Sequence, residues 1–261
     1  MRLQNKVAVI TGGASGMGRA AAELFSANGA AVVIAGRRLS EGEKVARSIR
    51  GNNKNDCVFV QTDVSNPEQT SELMVKAKES FGKIDILFNN AGINNHLDGD
   101  PHNEEIEIFE SVINVNLKGA FLCTKYAVPY MIENGQGSII NNSSVLDSRA
   151  ANNSSTSYHV SKGGLAMLTK KSALAYAKYN IRVNTIQPGA IATEMSGINW
   201  NDLTNESVIK RRSDIQPLQK MGHPYDVGYA ALYFASDESE FVTGSTLLVD
   251  GGMSAAYAPT R

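Results

Sequence analysis

Residues Val7 to Gly36 read VAVITGGASGMGRAAAELFSANGAAVVIAG, and the way this stretch folds decides the rest of the chain. Two apolar runs, VAVI and AVVIA, flank a segment with helical apolar spacing, and Gly29 closes that segment where a helix end favours glycine. The order is strand, helix, strand. Both runs are continuous rather than alternating, which argues for burial on both faces and so for a parallel sheet covered by helices.

The same pattern repeats outward from this unit. CVFV, IDILF, SII, IRVNTI and TLLV read as five more strands, each bounded by turn residues. Between them lie helical segments with their own punctuation. Ser40 and Glu43 have capping-box spacing, Pro67 follows Ser65 and Asn66 as a first-turn proline, and Gly82 stands as a C-terminal stop. No linker or shift in composition divides the 261 residues. The expectation is an α/β fold in one doubly wound domain spanning 1–261, with about seven parallel strands, helices on both faces, and ligands beyond the carboxyl ends of the strands.

Composition sets the chemical class. Hydrophobic residues make up 42% of the chain, enough for a large core, while 25 basic and 26 acidic residues leave a net charge of −1. That balance offers no footprint for nucleic acid or an anionic membrane, so a small molecule is the expected partner. Cys57 and Cys123 stand far apart in apolar surroundings with no CxxC, as buried reduced thiols would. The first apolar run is too short for a signal peptide or a membrane span, and the expected location is the cytoplasm. No metal site is expected.

Thr11 to Gly18, TGGASGMG, joins the first strand to the first helix. Gly12, Gly16 and Gly18 form G-x-x-x-G-x-G, a variant of the dinucleotide fingerprint, whose missing side chains let backbone approach a pyrophosphate. At the end of the second strand such folds carry an acid for a free ribose hydroxyl or a cation for a 2′-phosphate. Here Gly36 stands where the acid would be, followed by Arg37 and Arg38, and guanidinium recognises phosphate. NADP is therefore expected over NAD, though Ser15 adds no second cation before Gly16. Further along, Tyr158 and Lys162 stand four residues apart in TSYHVSKGG, on one face of a helix, where an ammonium would lower the pKa of a phenol.

With TGGASGMG, NNAG at Asn89 to Gly92, NVN at Asn114 to Asn116, SS at Ser143 and Ser144, and Tyr158 with Lys162, the chain resembles the short-chain dehydrogenase/reductase family. DV at Asp63 and Val64, PG at Pro188 and Gly189, and the ending VTGSTLLVDGG fall in the same order, so the resemblance covers nearly the whole length. It implies a Rossmann-type fold and hydride transfer between NAD(P) and a ketone or secondary alcohol. Tyr158 would be the general acid/base, Lys162 would support it and hold the nicotinamide ribose, Ser144 would bind the substrate oxygen, and Asn116, on the fourth helix, would anchor a relay water. Asp63 would accept from the adenine amino group beside Val64. Asn90, Ala91 and Gly92 would line the cofactor channel, Thr193 would meet the carboxamide, and Ser15, Met17, Pro188, Gly189 and Ile191 would complete the cofactor set. A homotetramer is implied too, built on the helices carrying AFLCTKYAVPYM and GGLAMLTKKSALAYA.

Two features depart from the family pattern. Ser144 precedes Tyr158 by 14 positions rather than the more usual 13, and YHVSK puts Val160 where alanine is common. His159 points about 100° away from Tyr158 on the helix and reads as structural; His96, His102 and His223 take the same reading. The segment from about 191 to 217 reads as a lid over the substrate, walled further by Leu146, Asn94, Asn95, His96 and Tyr257. Met195, Ile198 and Trp200 would suit an apolar ketone or alcohol, whereas Asn95 and His96 would suit a sugar or polyol. The alternative to an enzyme is a catalytically silent dinucleotide-binding regulator on the same fold.

Overall fold

The computed structural model describes residues 1–53, 55–94, 99–152, 154–198, 210 and 213–256. Strands β1 (Val7–Thr11), β2 (Ala31–Gly36), β3 (Cys57–Gln61), β4 (Ile86–Asn89), β5 (Gly137–Asn142), β6 (Ile181–Pro188) and β7 (Thr246–Val249) form one sheet in the order β3-β2-β1-β4-β5-β6-β7. Every pairing is parallel. All seven expected strands are present. The order reverses between β1 and β4, which opens a crevice at their carboxyl ends.

Helices α1 (Gly16–Ala27), α2 (Leu39–Asn53) and α7 (Pro224–Ala235) cover one face; α3 (Pro67–Phe81), α5 (Gly119–Glu133) and α6 (Thr156–Tyr176) cover the other. Successive strand residues serve opposite cores. Ala8, Ile10 and Ile34 pack against Phe25 and Phe234, while Val9 and Val33 pack against Leu73 and Met131, so each strand needs apolar residues throughout.

Helix punctuation held at α3, where Asn66 accepts from the Gln69 N–H, Pro67 opens the first turn and Gly82 ends the helix at φ 80°. It failed at α2. That helix begins at Leu39, with the Gly42 N–H already donating to the Arg38 carbonyl, so Ser40 lies inside the first turn rather than capping it. Strand β5 also runs past SII to Asn142, where its two asparagines meet Asn89 on β4 and Asn90 just past it. Asn89 donates to Asn141 (2.8 Å) and to Thr124 (3.2 Å), and Asn141 donates to Thr169 (2.8 Å). Each of these buried amides donates through its nitrogen, while Oδ1 of Asn89 and of Asn142 has no partner among the described residues.

Helix α4 (Ile106–Ile113) does not run smoothly into α5. The chain makes one π turn, Asn114–Lys118, between them, and Asn116 sits at its centre, buried. Such turns carry an extra residue and recur at functional sites.

Candidate active site

The glycine turn is held from below by an asparagine. Asn90, just past β4, donates from Nδ2 to the Thr11 carbonyl (3.0 Å) and the Gly12 carbonyl (3.3 Å), while the Thr11 hydroxyl accepts from the N–H groups of Asn90 and Ala91 (3.0 Å each). Gly12 has φ 65°, and a Cβ there would stand 2.9 Å from Asn90 Nδ2. A Cβ on Gly18 would lie 2.4 Å from both that nitrogen and the Gly12 carbonyl oxygen. Gly18 thus serves close packing of helix against turn, while Gly16, at φ 49° beside Thr193, serves the backbone path.

Two cavities open on either side of this turn. One, of about 180 Å³, is lined by Gly12, Ser15, Gly36, Arg37, Arg38, Asp63, Val64, Ala91 and Gly92 among others. Arg37 and Arg38 are exposed at its edge. Asp63 accepts from the Ser65 N–H (2.9 Å) and hydroxyl (2.7 Å); partial burial works to raise its pKa, but these bonds and the Arg37 charge outweigh that and hold it below the usual carboxylate range. The second cavity, of about 200 Å³, is lined by Met17, Asn94, Ser144, Leu146, Tyr158, Pro188, Gly189, Ile191, Thr193, Met195, Ile215 and Met253 among others. Thr193 accepts from the Ser196 N–H (3.3 Å) and so fixes the short turn Glu194–Ser196. Two adjoining cavities across a glycine turn fit an elongated dinucleotide.

Helix α6 carries Tyr158 and Lys162. Ser155 caps it, accepting from the Tyr158 N–H (3.3 Å), and Glu104 accepts from the N–H and hydroxyl of Ser157. Tyr158 and Ser144 line the same cavity, and Lys162 Nζ lies 5.5 Å from the Tyr158 ring centre. Lys162 donates to the Asn142 carbonyl (2.8 Å). Asn116 exchanges two bonds with the Ile93 backbone (2.8 and 2.9 Å) and donates to Ser161 (3.1 Å), whose hydroxyl donates to the Tyr158 carbonyl (2.8 Å). A Cβ on Gly92 would touch Asn116 Oδ1 (3.4 Å) and Lys162 Nζ (3.8 Å), so the four expected catalytic positions converge.

The electrostatics differ from expectation. Burial is the largest influence on both partners: it raises the Tyr158 phenol although Ser144 works to lower it, with Asp147 adding to the rise, and it pushes Lys162 down to about 8 against the pull of Asp147. In the protein alone burial therefore outweighs what lowers the phenol, because desolvation disfavours the charged form of each group.

His159 is structural, as expected: its Nδ1 bonds the Ser155 carbonyl (2.8 Å) and Nε2 accepts from the Ala151 N–H (3.1 Å), tying the long loop to α6. Of the expected lid and pocket residues, Asn94, Leu146 and Met195 line the second cavity and Ile198 is buried; Asn95, His96, Trp200 and Tyr257 lie outside the described residues. Thr11, Asn142 and Asp147 escaped the sequence reading. The visible signal was the pair of asparagines in NNSS, polar residues prolonging an apolar strand.

Among the described residues no helix is long and apolar enough to cross a membrane, and no group of three or more His, Cys, Asp or Glu side chains could hold a metal. Both cysteines are free and buried, their thiols raised to about 12 chiefly by burial.

Residues 12–254 match a family model described as enoyl-(acyl carrier protein) reductase. The chain is 41% identical over its whole length to the uncharacterized oxidoreductase YxbG of Bacillus subtilis, covering 95% of that protein. It is 39% identical to glucose 1-dehydrogenase 2 of the same organism, over 96% of this chain and 95% of that one. The crystal structure of levodione reductase superposes with a TM-score of 0.91 at 30% identity, covering 98% of this chain and all of that one. With this fold, this site and these relatives, the chain belongs to the short-chain dehydrogenase/reductase family of oxidoreductases.

Proposed function

We propose that the protein transfers a hydride between NADP and a ketone or secondary alcohol, with Tyr158 as the general acid/base. The observation carrying this reading is Tyr158 at a cavity wall that it shares with Ser144, its ring centre 5.5 Å from Lys162 Nζ. When bound, the nicotinamide supplies or accepts the hydride, and its oxidised ring brings a positive charge. In reduction, Ser144 would orient the carbonyl oxygen and Tyr158 would give its proton to that oxygen; in oxidation the phenolate would take the alcohol proton. Lys162, held on the Asn142 carbonyl, would place its charge near the phenol and hold the nicotinamide ribose, and Asn116 would keep α6 aligned through Ser161 and anchor a relay water. Gly12, Ser15, Gly16, Met17 and Gly18 would cradle the pyrophosphate, Asp63 and Val64 the adenine, and Arg37 and Arg38 the 2′-phosphate. Asn90, Ala91, Gly92, Pro188, Gly189, Ile191 and Thr193 would line the nicotinamide half.

Within the described wall, the larger apolar side chains Met17, Val145, Leu146, Ile191, Met195, Ile215 and Met253 outnumber the polar ones, which favours a substrate with apolar bulk beside its carbonyl. Exposed Phe121 and Ile132 on α5 and Met167 and Leu174 on α6 support a homotetramer built on these helices. Nicotinamide absorbance with a panel of ketones, secondary alcohols, sugars and polyols tests the activity; tight cofactor binding without turnover of any member would point to a silent regulator. Sedimentation at micromolar concentration tests the assembly, and a monomer would overturn it.

A further inference from the structure

Glu104 has no role in the scheme above, yet it holds the turn that carries Tyr158. The opening N–H groups of a helix have no partner within it. In α6 each of the first three has one outside: Thr156 donates to the Gly99 carbonyl (3.0 Å), Ser157 to Glu104 Oε2 (2.9 Å) and Tyr158 to the Ser155 hydroxyl (3.3 Å). The Thr156 hydroxyl also donates to the Gly99 carbonyl (2.7 Å). A Cβ on Gly99 would stand 3.1 Å from the Glu104 side chain, so Gly99 and Glu104 grip this turn as one unit.

The hydroxyls behind the turn form a relay with one direction. Ser155 and Ser157 are buried, and their oxygens lie 3.1 Å apart. Ser157 directs its one hydroxyl proton at Glu104 Oε1, so the proton between the two serines belongs to Ser155, whose oxygen is left to accept from the Tyr158 N–H. A carboxylate, which only accepts, sets that order. Helix α4 begins two residues after Glu104 and leads into the π turn, where Asn116 donates to Ser161 (3.1 Å) and Ser161 donates to the Tyr158 carbonyl (2.8 Å). The two ends of one segment therefore fix both backbone polar groups of Tyr158, through Ser157 and Ser161, two buried serines one helical turn apart.

We propose that Glu104 is a positioning residue for proton transfer, whose carboxylate, bonded to the N–H and hydroxyl of Ser157, fixes the first turn of α6 and with it the place of the Tyr158 phenol relative to Ser144. Glu104 lines neither cavity of the site, so its effect passes through the backbone of α6. Losing it would leave the N–H and hydroxyl of a buried serine without their acceptor, and the turn would shift to find another. This rests on the hydride-transfer reading, so one of the measurements below needs neither substrate nor cofactor.

Glu104→Ala should lower kcat, counted per NADP-binding site, by at least about 10-fold, while KM and NADP affinity stay within about twofold, as when a catalytic group is misplaced but the pocket is kept. Glu104→Gln, which keeps the length and an acceptor for the Ser157 N–H, should recover most of that loss. Ser157→Ala should act in the same sense, and the double variant Glu104→Ala/Ser157→Ala should lose less than the product of the two, because both changes break one bond network. In the protein alone, hydrogen exchange at the Ser157 and Tyr158 amides should quicken at least about 10-fold in Glu104→Ala and stay slow in Glu104→Gln. Unchanged exchange in Glu104→Ala overturns the proposal. So does a kcat within a few fold of wild type, a loss that falls on KM or NADP affinity instead, or a double variant that loses the full product. If the substrate panel shows no turnover, the hydride-transfer reading fails and the catalytic part of the proposal with it, while the exchange rates still decide whether Glu104 holds the turn.

Discussion

The proposed preference for NADP rests on three consecutive residues. Gly36 ends β2, and a Cβ added there would meet nothing closer than the Phe59 ring edge at 3.8 Å, an ordinary contact. Its backbone is not in the left-handed region, so Gly36→Asp should fold without strain. Arg37 and Arg38 follow, both exposed at the rim of the first cavity. If Arg37 binds the 2′-phosphate, Arg37→Ala removes a hydrogen bond to a charged group, worth roughly 1.5 to 3 kcal/mol, or about 10- to 150-fold in affinity. Exposure and the neighbouring guanidinium of Arg38 place the single variant near the low end, about 10-fold weaker for NADP and unchanged for NAD. Removing both arginines should approach the upper end. Gly36→Asp should act in the opposite sense, since its carboxylate would accept from a free ribose hydroxyl and repel the phosphate. Raising ionic strength should erode NADP binding more than NAD binding, because the contact faces solvent. The assay is Kd and kcat/KM for both cofactors in wild type, Arg37→Ala, Arg37→Ala/Arg38→Ala and Gly36→Asp. A wild type that prefers NAD, with a ratio indifferent to Arg37→Ala, would refute the assignment and return both arginines to the solvated surface.

Tyr158→Phe should leave cofactor affinity nearly intact and lower turnover by at least about 10²-fold, the low end for loss of a general acid/base; turnover within a few fold of wild type would remove Tyr158 from that role. Burial pushes the Lys162 ammonium down to about 8 from an ordinary 10.5, so between these values the unfolded state binds the extra proton and folding stability should rise with pH, by at most about 1.4 kcal/mol per unit. Below about 8 both states are protonated and the slope vanishes; urea unfolding of wild type against Lys162→Met across this range isolates the effect, and identical pH dependences would contradict it. Gly18→Ala puts a Cβ 2.4 Å from Asn90 Nδ2 and the Gly12 carbonyl oxygen, an overpacking expected to cost roughly 1 to 3 kcal/mol, seen as a lower melting temperature together with weaker cofactor binding.

The parts of this molecule that showed in its sequence are those written locally. Seven apolar runs and one glycine turn need only neighbours along the chain to be recognised, and Tyr158 with Lys162 needs only a helix. What stayed hidden depends on register between distant segments. Asn89 meets Asn141 only because β4 and β5 pair as Phe88 with Ile140, and the bond from Asn142 to Asn90 (2.9 Å) follows from the same register. The direction of the Tyr158 shift was missed for a related reason: an i, i+4 lysine is visible in the text of the chain, but the burial that outweighs it comes from elements across the fold. Asp147 was passed over because a one-turn 3₁₀ segment leaves no periodicity to detect.

The π turn at Asn114–Lys118 has a consequence for the length of the chain. One surplus residue offsets the helical phase of α5 from that of α4 by about 100°. Ile113 before it and Gly119 after it both hold right-handed helical angles, so a single deletion within the turn would fuse α4 and α5 into one regular helix. That fused helix could not keep both appointments: with Cys123, Ala127 and Met131 still facing the sheet, the α4 side would swing about a quarter-turn and carry Val112 out of its buried position. The segment should therefore accept changes of residue type at its exposed positions, such as Lys118, far more readily than any change in residue number.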